Sequence, residues 1–270
     1  MSQQVSERGL VVVTGASGGI GYELCKLFAH DLFPLLMVAR SGDKLKAFAE
    51  ELTATHGVTV ATCALDLGAP DAPNRLFEAA QNQGLPVQIL VNNAGFGDFG
   101  PFVEADLAVI LQMLQLNVVA LTHLTRLFLP GMLERNVGGI LNVASIAAFQ
   151  PGPLMAVYYA SKAYVLHFSE ALADEVRNTN VRITALCPGP TATGFEGRAG
   201  LSVSKLFTGA MDAQTVAEAG YRGFLRGKRI VVPGMGNRLL AQSYRFFPRS
   251  LIAGIVRRLH IRAAPGTQLP

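Results

Sequence analysis

Apolar positions fall into two alternating kinds of segment along this chain. Short β-branched runs occupy Leu10 to Thr14, Leu35 to Ala39, Val58 to Leu65, Val87 to Asn92, Gly139 to Ser145 and Val181 to Cys187. Stretches with helical spacing lie between them, near residues 19–30, 43–56, 71–83, 104–130 and 157–178. The runs are apolar at nearly every position rather than at alternate ones, the pattern of strands covered by helices on both faces. Repeated strand–helix–strand order predicts an α/β fold with a doubly wound parallel sheet. A late short run, Ile230 to Val232, is placed at the sheet edge, and Leu107 to Leu129 is apolar nearly all round, which predicts a helix covered on more than one side.

Composition narrows the class without changing that outline. Half of the 270 residues are apolar and 16% are charged, with no linker-like tract and no internal repeat, so one domain over residues 1–270 is expected. Residues 1–9 lack the apolar core of a secretory signal, and no uninterrupted apolar run approaches the ~18 residues of a bilayer span. The expectation is an intracellular, cytoplasmic protein. Cys25, Cys63 and Cys187 are odd in number and far apart, which points to small apolar side chains rather than a disulfide framework or a metal site. Residues 1–218 hold 13 Lys/Arg against 19 Asp/Glu, whereas residues 219–270 hold ten and none. No nucleic-acid partner is expected. The basic tail, 237–270, carries Leu239, Leu240, Tyr244, Phe247, Leu251, Ile252, Ile255, Val256 and Leu259 among its arginines, and peripheral membrane contact and packing on a partner subunit both remain open for it.

The first strand-to-helix crossover reads Thr14-Gly15-Ala16-Ser17-Gly18-Gly19-Ile20-Gly21. Gly15 suits a tight turn, while Gly19 and Gly21 let a phosphate-bearing ligand and the neighbouring strand approach the backbone. The following helix offers unpaired N–H groups and a positive dipole end to a pyrophosphate. These features make the sheet a Rossmann fold. At the end of the second strand, where an acidic residue commonly takes the ribose of NAD, Arg40 and Ser41 stand instead, so NADP(H) is preferred over NAD(H). Asp66 and Leu67 follow the third strand, with Asp66 placed to meet an adenine amino group, and Asn92-Asn93-Ala94-Gly95 follow the fourth, where small residues leave the cofactor room.

Ser145 ends the fifth strand, and Tyr158 and Lys162 follow thirteen and seventeen residues later. Four residues apart, Tyr158 and Lys162 share one helix face, ~40° apart. A free phenol titrates near ~10; bringing it toward neutrality needs about 4 kcal/mol, which an ammonium ~4 Å away supplies at an effective dielectric near ~20. Ser145 would hydrogen-bond the substrate oxygen. Tyr159 neighbours Tyr158 and is chemically its equal on sequence grounds, while His30, His56, His123, His167 and His260 read as structural.

Taken in this order, the motifs resemble the short-chain dehydrogenase/reductase family over about Leu10 to Thr193. The resemblance implies a hydride transfer between NADP(H) and a carbonyl or secondary alcohol, with Ser145, Tyr158 and Lys162 catalytic and Asn117 holding a water in the proton relay. It implies that Lys162 also binds the nicotinamide ribose, that Pro188, Gly189 and Thr191 lie beside the nicotinamide, and that Thr193 contacts its carboxamide. It selects Tyr158 over Tyr159, and it implies a homodimer or homotetramer through the long apolar helix and the Tyr158 helix. The nearest branch by impression holds 3-oxoacyl reductases and hydroxysteroid dehydrogenases. Residues 194–212, with four glycines and the apolar Phe195, Leu201, Val203, Leu206 and Phe207, read as a lid over a hydrophobic ketone, aldehyde or 3-oxoacyl substrate. A non-catalytic nucleotide-binding scaffold or sensor, and an epimerase or dehydratase, are the rival readings.

Overall fold

Odd and even positions of the first strand, β1 (Leu10–Thr14), serve opposite faces of the sheet. Val11 and Val13 pack with Leu24 and Phe28 of α1 (Gly19–His30), whereas Leu10 and Val12 pack in a second core with Leu76, Leu124 and Phe128. Both faces are therefore dry, the physical cause of the unbroken apolar run. The computed structural model describes residues 8–194, 209–244 and 246–263 (side chains of 249, 250 and 263 excepted).

The chain continues through β2 (Leu35–Ala39), α2 (Gly42–His56), β3 (Val60–Ala64), α3 (Ala72–Gln81) and β4 (Val87–Asn92). Next come α4 (Leu107–Leu114), α5 (Leu121–Glu134), β5 (Gly138–Val143), α6 (Ala156–Glu175) and β6 (Val181–Leu186). Two short strands, β7 (Thr191–Ala192) and β8 (Met211–Asp212), are followed by α7 (Ala213–Leu225), β9 (Ile230–Val231), α8 (Met235–Ser243) and α9 (Arg249–Ala263). The main sheet has seven parallel strands in the order β3-β2-β1-β4-β5-β6-β9. The winding direction reverses between β1 and β4, which opens a crevice at the carboxyl ends of those two strands.

Three departures from the expected elements have local causes. β3 is shorter than Val58–Leu65 and only partly buried, as the sheet's edge strand. The helix expected near 104–130 runs from Leu107 to Glu134 and is interrupted by a π-helical segment at Gln115–Ala120, which turns Asn117 inward to 1% exposure. That run is long and apolar enough, by length and composition, to cross a membrane, yet Leu121, Leu124, Phe128 and Met132 are buried within the fold. Third, the tail forms two helices: Ile252, Val256 and His260 of α9, at intervals of four, are buried on the protein's own body. The expected lid begins and ends at the β7–β8 pair, where the Met211 N–H donates to the Pro190 carbonyl; Phe195, Leu201, Val203, Leu206 and Phe207 lie outside the described residues. Cys25 and Cys187 are buried thiols, and Cys63 is half-buried on the edge strand.

Candidate active site

A cavity of about 1200 Å³ lies along the carboxyl ends of the strands, with Arg40 and Ser41 at one end, Ser145 and Tyr158 in the middle, and Tyr244, Ile255 and Leu259 of the tail at the other. Its first wall is the turn after β1, held by a staple to the turn after β4. The Thr14 hydroxyl donates to the Val91 carbonyl (3.0 Å) and accepts from the N–H groups of Asn93 (3.0 Å) and Ala94 (3.1 Å). In return the Asn93 amide donates to the Thr14 and Gly15 carbonyls at 2.9 and 3.1 Å. Gly15, at φ +66°, has no room for a Cβ beside that amide, and a Cβ at Gly21 would collide with the Gly15 carbonyl. Close backbone packing requires these two glycines. By contrast, a Cβ at Gly18 would meet nothing within 4 Å.

That open side faces the N-terminus of α1, whose first turn carries no acidic residue. A 12-residue helix with free N–H groups at a glycine-lined concavity suits a pyrophosphate. At the far end Arg40 and Ser41 are joined by Lys44, one turn into α2, a second exposed cation against the same cavity. The residues present therefore fit a dinucleotide laid from the end of β2 across the switch point. Asp66 lines this stretch with Leu67, and its Oδ1 accepts from the Gly68 N–H at 2.9 Å, so one carboxylate oxygen serves the local turn.

Ser145 follows β5 in extended backbone and caps a short 3-10 turn, its hydroxyl accepting from the Ala147 N–H at 3.1 Å. The Ile146 N–H donates to the Pro188 carbonyl at 2.9 Å, which ties Ser145 to the segment after β6. Ser145 lies beside the Tyr158 hydroxyl and lowers its proton affinity. On the same face of α6, Lys162 is 6% exposed, and its Nζ donates to the Val143 carbonyl at 2.8 Å and stands 5.8 Å from the Tyr158 ring centroid. A Cβ at Gly95 would stand 2.9 Å from Asn117 Oδ1 and 3.5 Å from Lys162 Nζ, so glycine lets the β4 loop reach the catalytic helix.

Electrostatics correct one expectation here. Burial pushes the Tyr158 phenol up to about 12, against the lowering effect of Ser145, rather than Lys162 bringing it toward neutrality. Burial likewise pushes the Lys162 ammonium down to about 8. Both groups are out of water, and desolvation is the leading cause of each shift. The phenol is held in its acid form.

Of the residues expected on sequence grounds, Ser17, Gly18, Gly19, Ile20, Asn93, Ala94, Gly95, Pro188, Gly189, Thr191 and Thr193 line the cavity, as do those named above, with two exceptions. Gly21 and Asn117 stand behind its wall. The Asn117 amide spends both hydrogens inside the protein, on the Phe96 carbonyl (2.9 Å) and the Ser161 hydroxyl (3.1 Å), while its Oδ1 accepts from the Phe96 N–H (3.1 Å). Its side chain therefore pins the β4 loop to α6. Thr191 and Thr193 use their hydroxyls on the Gly189 and Thr191 carbonyls, at 2.8 and 3.4 Å. Sequence reasoning missed Lys44, the Thr14–Asn93 staple, and a buried chain in which Asn92 donates to Thr125 and Asn142, and Asn142 donates to Ser169. Polar residues inside the apolar segments, Asn142 and Ser169 among them, were the legible signal for the last.

The family model for the short chain dehydrogenases matches residues 9–201. A very-long-chain 3-oxoacyl-CoA reductase of Anas platyrhynchos is 36% identical over 187 residues, 67% of this chain and 59% of that protein. Ketoacyl reductase HetN of Nostoc sp. is 33% identical over 210 residues, 77% of this chain and 72% of that one. A solved short-chain dehydrogenase from Sphingobium yanoikuyae in complex with NADPH superposes with a TM-score of 0.79 at 30% identity, covering 88% of this chain and 93% of the other. The chain belongs to the short-chain dehydrogenase family. It spans between about half and three fifths of the length of the first curated relatives that it matches.

Proposed function

We propose that this protein is an oxidoreductase that uses a nicotinamide dinucleotide, NADP(H) in preference to NAD(H), to reduce the carbonyl of a bulky apolar substrate such as a 3-oxoacyl chain. The observation that carries the reading is the sharing of one cavity by Ser145 and Tyr158 and by an apolar wall of Leu240, Phe247, Ile252, Ile255, Val256 and Leu259. The names of the two reductase relatives agree with such a substrate. Arg40 and Lys44 would hold a 2′-phosphate, the α1 N-terminus the pyrophosphate, and Lys162 the nicotinamide ribose. When bound, the cofactor supplies the hydride.

The side chains supply the proton and the orientation. Ser145 and Tyr158 line the same stretch of the cavity, where their hydroxyls would hold the carbonyl oxygen. As negative charge develops on that oxygen, Tyr158 gives up its proton, and the Lys162 cation stabilises the phenolate left behind. Asn117 keeps Ser161, and with it the face of α6, in register with the β4 loop. A phenol raised by burial keeps its proton at neutral pH, the state from which a reductive step starts. Lys162 is charged below about 8 and loses that charge above it. Reductive kcat should therefore be flat on the acid side and fall above about pH 8; a rate rising through that pH would assign Tyr158 the role of a base instead.

NADPH oxidation followed by absorbance, over a series of 3-oxoacyl thioesters of rising chain length and a set of hydrated sugars, tests the substrate class. KM should fall with chain length. Equal use of sugars would overturn the apolar reading, and the absence of turnover with every carbonyl would favour a nucleotide-binding scaffold. Product isomers formed without net NADPH consumption would favour an epimerase.

Two contacts belong to the same proposal. Leu107, Leu111 and Val119, exposed on the outer side of the α4–α5 run, would be covered by a second copy of the chain, giving an oligomer in light scattering at micromolar concentration. A cytoplasmic protein of this kind would touch a membrane through the exposed Met235, Leu239 and Phe246, with the exposed Arg238, Arg257 and Arg258 on the two helices of the basic tail. Because α8 and α9 wall the cavity, the test is surface substitution rather than truncation. Wild type should float with anionic liposomes, and the triple variant M235S/L239S/F246S should not.

A further inference from the structure

α9 contributes Ile252, Ile255, Val256 and Leu259 to the cavity, yet among the described residues no other helix or strand forms a broad interface along it. Ile252 and Val256 bury one side of this helix, but a helix held by few backbone contacts opens at low cost unless something specific adds to them. His260 makes the polar contacts that do so. Although His260 lies far along the basic tail, it is 2% exposed and both of its ring nitrogens are engaged. Nδ1 lies 2.6 Å from the Pro153 carbonyl, which can only accept, so Nδ1 carries the hydrogen. Nε2 is then the acceptor, and the Tyr159 hydroxyl 3.0 Å away donates to it. Burial lowers the proton affinity of this imidazole, in keeping with the neutral tautomer that both bonds require.

The two partners of His260 sit at the start of the catalytic helix. Pro153 belongs to the loop that leads into α6, and Tyr159 follows Tyr158 directly. The Tyr159 ring is seated on Gly152, where any Cβ would collide with it, and it meets the His260 ring edge-on at 5.6 Å between centroids. Phe99 closes the other side of the imidazole at 6.0 Å. Tyr159 also lines the cavity. A tyrosine that residue chemistry alone could not separate from Tyr158 thus has a hydroxyl committed to the tail, not to the reacting centre.

We propose that Tyr159 and His260, anchored on the Pro153 carbonyl, form a latch that holds α9 against the catalytic helix as a closable wall of the substrate cavity, so that they are positioning residues that set affinity for bulky apolar substrates. The latch rests on the cavity's reading as a substrate site, but the docking of α9 does not depend on turnover. Hydrogen exchange of the full-length protein with NADPH present, together with steady-state kinetics on a long-chain 3-oxoacyl thioester, tests both parts. In Tyr159→Phe and in His260→Ala, amides of residues 249–263 should exchange about tenfold faster, with 156–175 as in wild type, the factor that one buried hydrogen bond carries. KM should rise by about the same factor while kcat stays within about twofold. His260→Gln, which keeps an acceptor for Tyr159, should recover both. Tyr159→Phe leaves the ring seated on Gly152, so it reports even if His260→Ala fails to fold. Wild-type exchange over 249–263 in Tyr159→Phe would overturn the latch; a fall in kcat with KM constant would overturn the positioning role by placing Tyr159 in the chemistry. If wild type turns over no carbonyl, the function proposed above fails, and the exchange measurement alone decides the latch.

Discussion

Replacing Tyr158 by Phe is expected to reduce carbonyl reduction by about three orders of magnitude, within the range that a positioned general acid contributes. The change removes one oxygen from a ring that stays packed beside Ser145 and Lys162, so thermal stability and the dissociation constant for NADPH should move little. Single-turnover kinetics with preformed NADPH complex would show whether the loss lies in the chemical step. The contrast with Tyr159→Phe is the sharper part of the test. Both phenols are pushed up by burial, and they are neighbours on one helix, so pKa alone does not distinguish them. Surroundings do: Tyr158 shares the cavity with Ser145, and Tyr159 bonds His260. A Tyr159→Phe variant that lost turnover while Tyr158→Phe kept it would overturn the assignment of the acid.

Removing the two cations at the β2 end, as Arg40→Ala with Lys44→Ala, is expected to weaken NADPH by roughly 10²- to 10⁴-fold, since each charge-assisted hydrogen bond to phosphate carries about 1.5–3 kcal/mol. NADH, which lacks the 2′-phosphate, should change by less than about threefold. Both side chains are exposed, so the effect should shrink as salt is added. Fluorescence titration of each cofactor at low and moderate ionic strength reads all of this. If NADPH and NADH weakened equally, the two residues would be shaping the adenosine site rather than reading the phosphate.

How much of this was legible without coordinates follows from the range of each interaction. Strands buried on both faces must be apolar at every position, and helices that follow them must carry one apolar stripe, so the alternation of the two along the chain determined a doubly wound parallel sheet. The glycine-rich turn was legible because its requirements are local: Gly15 needs its left-handed backbone, and Gly21 must pack against it within one turn. The pair Tyr158 and Lys162 was legible because helix geometry alone puts positions four apart on one face.

Tertiary structure decided the rest, because it depended on residues far apart in sequence or on the absence of water. Lys44 became a partner of Arg40 only once α2 was seen to start beside the cavity. The Asn117 side chain was committed to Phe96 and Ser161 by a π-helical segment that no periodicity announced. The tail's arginines and apolar residues were compatible with several partners, and the inward face fell to Ile252, Val256 and His260, the last of which meets groups about a hundred positions away. The Tyr158 and Lys162 pair with which the chemistry begins was written in the sequence as a spacing. Its protonation was not, since the desolvation that keeps the phenol an acid and loosens the ammonium's proton comes from the whole fold closing around it.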